Sequence, residues 1–76
     1  MEEKILEILE DINEDIIEYD GENMLAESVI DSFEIVEIVA RLEEEFDVEI
    51  DAKYVVEKNF SNKNAIIKMM KEIVKG

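Results

Sequence analysis

Three stretches of this chain set apolar residues three and four positions apart, and no proline interrupts any of them. Ile5, Ile8, Leu9, Ile12 and Ile16 form the first series, Ile35, Val39, Leu42 and Phe46 the second, and Ile66, Ile67, Met70, Ile73 and Val74 the third. Such spacing lines up one face of a helix, whereas a half-buried strand would alternate. Helices are therefore predicted from Glu2 to about Ile17, from Ser32 to about Glu45 and from Lys63 to Lys75, with Gly76 ending the last. Val48 and Ile50 alternate with acids, but a lone strand there would have no partner. Asp47 to Lys58 is thus expected to form a loop and a short helix. Phe60 should anchor the chain before the last helix, with Ser61 or Asn62 as its cap. The expected fold is all-α, a small three-to-four-helix bundle with a long loop between its first two long helices, forming one domain over residues 1–76. At 76 residues, a single core only just outweighs chain entropy.

The connection from Glu18 to Ile30 contains Asp20-Gly21, a turn signal at the one internal glycine. Met24, Leu25, Val29 and Ile30 are too apolar for a solvated linker, so this segment should lie across the bundle with those side chains inserted. A loop of this length in so small a domain is packed or functional. Asp11, Asn13, Asp15 and Glu22 imitate a calcium-loop spacing, but Ile16 stands where glycine must make the sharp turn and Glu18 where an aliphatic residue belongs. The first helix's periodicity also runs through this stretch. No metal site is expected.

Composition removes further classes. Without cysteine or histidine, the chain can form no disulfide, Cys-His or Ser-His nucleophile, or thiolate or imidazole zinc site. Its apolar runs fall far short of the roughly 20 residues of a membrane span. Met1-Glu2-Glu3-Lys4 lacks the start of a secretion signal, so a cytoplasmic location is expected. The net charge is −14, unevenly spread: residues 1–50 hold nineteen acids and two bases, and residues 51–76 three acids and six bases. The acidic part lacks the basic footprint of nucleic-acid binding and would steer basic partners towards itself.

The stretch from Val29 to Phe46 concentrates what chemistry there is. Asp31 can cap the second long helix, with Glu34 reaching back to the cap's own N–H. Glu34, Glu37, Arg41 and Glu44 repeat at three, four and three as a mostly acidic strip. Arg41 is spaced to pair with Glu37 and Glu44 within the helix. Ser32 falls on the first turn, where backbone N–H groups lack helical partners and a hydroxyl is exposed.

Asp31-Ser32-Phe33, followed by Val36-Glu37 and Leu42-Glu43-Glu44-Glu45-Phe46, resembles the acyl carrier protein family over roughly Ile5 to Val74. The resemblance implies a non-catalytic carrier with 4′-phosphopantetheine attached to Ser32, carrying acyl intermediates as thioesters for fatty-acid or polyketide-like synthesis. It implies modification by a phosphopantetheinyl transferase and exchange with acyl-activating and acyl-transferring enzymes bearing basic docking patches. Asp31, Glu34, Glu37, Arg41 and Glu44 would meet those partners. Phe33, Val36, Leu42, Phe46, Tyr54 and Phe60 would surround an inner cleft, and the aromatic rings there are expected to leave room only for small cargo. A monomer with no bound nucleic acid and no membrane insertion is expected. Within the family, the phenylalanine of Asp31-Ser32-Phe33 and the Phe60, Asn64 and Ile66 pattern resemble D-alanyl carriers of teichoic-acid synthesis. An acidic helical interaction module without a covalent cofactor would explain the charge without using Ser32.

Overall fold

The computed structural model describes residues 1–75; Gly76, expected to end the last helix, lies outside them. The described residues form α1 (Glu2–Ile12), a one-turn α2 (Asp15–Glu18), α3 (Ser32–Phe46), two 3-10 turns (Ala52–Tyr54 and Glu57–Phe60) and α4 (Lys63–Lys75). No strand occurs among them. The all-α bundle is as expected, with α1 packed against both α3 and α4 and the second 3-10 turn against α4.

The first helix is shorter than its periodicity suggested. It stops at Ile12, where Asn13 turns to extended backbone (φ −162°, ψ 104°). Asn13 Oδ1 then accepts the amide of Asp15 at 3.0 Å, starting α2. An asparagine side chain that binds the backbone two residues on offers the chain an alternative to continuing the helix. Ile16 nevertheless reaches the core with Ile5, Ile8 and Leu9. The break also falls inside the stretch with calcium-loop spacing, so the helical pattern does not run straight through it.

The long connection is packed. Met24 is fully buried and Ile30 nearly so, while Leu25 and Val29 rest partly buried against the core. Asn23 organises the turn: its Oδ1 accepts the amides of Leu25 and Ala26, both at 3.1 Å. Its Nδ2 donates to Glu57 at 2.6 Å. The Met24 amide donates to the Ser61 carbonyl at 2.8 Å, joining the loop to the entry of α4. A Cβ at Gly21 would stand 2.6 Å from Cζ of Tyr19, so any larger residue there would displace the tyrosine ring. Ser28 takes a left-handed conformation (φ 64°) just before the chain turns into α3.

The inward line of α3 is centred on Ile38 and Leu42, both fully buried, with Ile35, Val39 and Phe46 packed at its margins. The predicted stripe omitted Ile38 and so lay to one side of the true one. The helix ends on Asp47 in the left-handed region (φ 52°). Glu43 Oε2 then accepts the Ile50 amide at 2.7 Å and pins the following loop. Phe60 is fully buried, the anchor expected. Asn62, rather than Ser61, caps α4 by accepting the Ala65 amide at 2.9 Å. Met69 joins Ile66, Ile67 and Met70 in the core, whereas Val74, expected inside, is 45% exposed.

Candidate functional site

The entrance to α3 is built from four side chains. Asp31 is the N-cap, in extended conformation, and its Oδ1 accepts the Glu34 amide at 2.9 Å. Its carbonyl accepts the Ile35 amide at 3.1 Å, the first helical bond. Ser32 is exposed on the first turn. Its amide and that of Phe33 have no protein acceptor among the described residues. Two free N–H groups and the positive end of a fifteen-residue helix therefore surround the Ser32 hydroxyl.

The second half of the expected capping box is not made. Glu34 does not reach back to the Asp31 amide; its Oε2 accepts from Asn13 Nδ2 at 3.0 Å. The same Nδ2 donates to the Val29 carbonyl at 3.2 Å. Asn13 thus ties the break after α1 to both sides of Ser32. The sequence reading assigned it no role at this site, although an Asn-x-Asp step at a helix end is a recognisable signal for such a turn.

Arg41 also departs from expectation. It pairs with neither Glu37 nor Glu44, and its guanidinium lies 3.1 Å from Asp11 of α1. It borders a groove between α1 and α3 also lined by Lys4, Glu7, Glu10, Glu14 and Glu45. Glu37 and Glu44 remain exposed on the free face of α3.

The residues expected around an inner cleft divide into two groups. Leu42 and Phe60 are fully buried, and Phe46 and Tyr54 are partly buried against the core. Phe33 and Val36, in contrast, are 83% and 66% exposed. They stand outside the bundle on the first two turns of α3 and cannot line its interior. At spacings of three and four, Phe33, Val36, Glu37 and Ala40 share one helix face, a mixed apolar and acidic strip that begins beside Ser32.

The features fit attachment of a phosphodiester-linked group. Ser32 is exposed, unpaired amides adjoin it, and the carboxylate of Glu34, two residues on, is held by Asn13. A family model described as the phosphopantetheine attachment site matches residues 3–59, from the first turn of α1 to the second 3-10 turn. No curated protein and no solved structure matches the chain. By the extent of that match, and with a bundle of the fold it implies, this chain belongs to the phosphopantetheine attachment site family, whose domains carry 4′-phosphopantetheine covalently.

Proposed function

We propose that Ser32 is the attachment residue and that the protein is an acyl carrier, non-catalytic itself, serving fatty-acid or polyketide-like synthesis. The observation carrying this reading is the exposed serine on the first turn of α3, inside the matched segment and beside two free amides. When bound, the group supplies the thiol that this cysteine-free chain lacks. The chain's own residues position it. Asp31 fixes the first turn by capping Glu34. The free amides of Ser32 and Phe33 would help hold the phosphodiester, since a helix N-terminus favours an anion by about 0.3–1 kcal/mol at an exposed site. Among the described residues no side chain hydrogen-bonds the Ser32 hydroxyl as a base would, so the transferase supplies that function together with its metal.

The outward strip of Phe33, Val36, Glu37 and Glu44 is the docking face for the transferase and the acyl-handling enzymes. Apolar side chains this exposed beside acids suit a partner with a basic rim around an apolar centre. Arg41, engaged with Asp11, contributes to this face only at its edge.

A second reading is favoured by the filled interior. With Leu42 and Phe60 wholly enclosed, cargo rides outside the bundle, as suits a small group such as D-alanine. Charging of the modified protein by an acyl ligase or by a D-alanine ligase separates the two readings. The primary test is incubation with a phosphopantetheinyl transferase, coenzyme A and magnesium, followed by intact mass. The wild-type protein should gain one phosphopantetheinyl group and Ser32→Ala none. A wild-type chain left bare would return the molecule to the class of acidic interaction modules.

A further inference from the structure

We propose that Asn13 is a positioning residue for modification at Ser32, clamping the chain on both sides of the reacting hydroxyl. This rests on the reading of Ser32 as the attachment residue. Asn13 Nδ2 donates to the Val29 carbonyl, three residues before Ser32, at 3.2 Å, and to Glu34 Oε2, two residues after it, at 3.0 Å. Its other polar groups are also engaged: Oδ1 accepts the Asp15 amide at 3.0 Å, its own amide donates to Leu9 at 2.9 Å, and its carbonyl accepts from Ile16 at 3.0 Å.

One partly buried side chain therefore joins the end of α1, the last turn of the long loop and the first turn of α3. The loop is also held by the Val29 amide, which donates to the Met24 carbonyl at 2.8 Å, but among the described residues Asn13 is the side chain that joins this turn to α3. Ser28, one residue before the clamped carbonyl, sits in the left-handed region (φ 64°), which a serine adopts only at a cost. The clamp opposes relaxation of that turn, which would carry Asp31 and the helix start with it. It also occupies the Glu34 carboxylate, which would otherwise be free to swing towards Ser32 and repel an incoming phosphate. An alanine at position 13 would lose both functions and the helix break together. The sharper probe is Asn13→Asp, which retains an acceptor for the Asp15 amide but replaces the donor with a negative charge facing Glu34.

The experiment compares transferase kinetics of the wild type, Asn13→Asp, Glu34→Gln and the double variant, using coenzyme A and magnesium. In the wild-type background, Asn13→Asp should lower kcat about tenfold with little change in KM, because the docking face on α3 is untouched. In the Glu34→Gln background, the amide at position 34 can donate to the new carboxylate. There the same substitution should cost clearly less than in the wild-type background, because the Glu34 arm is remade while the Val29 arm stays open. Equal losses in the two backgrounds, or no loss in either, would overturn the proposal. Amide hydrogen exchange on the unmodified proteins gives a readout independent of the transferase. In Asn13→Asp, exchange at Val29, Glu34 and Ile35 should quicken about tenfold while that at Met69 and Met70 in α4 stays as it was. Uniform acceleration across α4 would mean a global loss of stability and would also overturn the clamp. If the wild type is not modified at all, that failure falls on the attachment reading, and the exchange measurement alone decides the role of Asn13.

Discussion

Phe33 and Phe60 are the same residue type under opposite demands. Phe60 is fully enclosed where the second 3-10 turn meets α4, and Phe33 is 83% exposed beside Ser32. Removing a buried phenylalanine ring costs about 3–5 kcal/mol in lost transfer energy and cavity formation. A domain of this size has little more than that in total. Phe60→Ala should therefore leave the protein largely unfolded in a urea titration. Phe33→Ala should stay within about 0.5 kcal/mol of the wild type, as surface changes do. If Phe33 belongs to the docking face, the same variant should lower kcat/KM for modification several-fold. A Phe33→Ala protein as readily modified as the wild type would remove the ring from that face.

Among the helices, the tie between α1 and α4 offers a measurable titration. Lys71 Nζ donates to Glu2 Oε2 at 2.9 Å, and this hydrogen bond and the lysine's charge hold the Glu2 carboxyl below its usual range. A depressed carboxyl contributes stability above its unfolded pKa, near 4.3, and loses it as pH falls through the lower folded value. The melting temperature of the wild type should thus exceed that of Glu2→Gln at pH 6, and the difference should shrink as pH falls below about 4.3. A constant difference across that range would exclude the ion pair as its source. Elements of this kind were only partly legible in the sequence. Periodicity placed the three long helices because burial of one apolar stripe is what sustains them. It missed the break at Asn13 because Ile16 stays four positions after Ile12, in register with a helix that has already ended. On α3, apolar residues occupy Ile35, Val36, Ile38, Val39 and Leu42, enough for two faces. Only the position of α1 decides that Ile38 goes inside and Val36 outside. The Asp31 cap and the exposed place of Ser32 on the first turn were readable because a cap is a local device. Arg41 was misread because its partner, Asp11, lies thirty positions away on another helix.

The described residues span 31 × 24 × 19 Å, several times the roughly 8 Å over which physiological salt screens a charge. A docking partner at that salt responds to the acids of the face it approaches, not to the net charge of −14. The acids are not equivalent in that respect. Glu37 adjoins Val36 on the free side of α3, whereas Glu72 lies on α4, which packs mainly against α1 and the second 3-10 turn. At low ionic strength both contribute to long-range attraction of a basic partner, so charge reversal at either should slow modification. Near 0.15 M salt the Glu72→Lys effect should disappear. Glu37→Lys should still lower kcat/KM several-fold, though by less than at low salt, because a charge in contact is screened less than a distant one. Equal sensitivity of the two variants at both salts would mean that overall charge governs the encounter and that α3 presents no distinct face. No response to Glu37→Lys at either salt would take its carboxylate out of recognition, leaving Phe33, Val36 and Glu44 to make the contact.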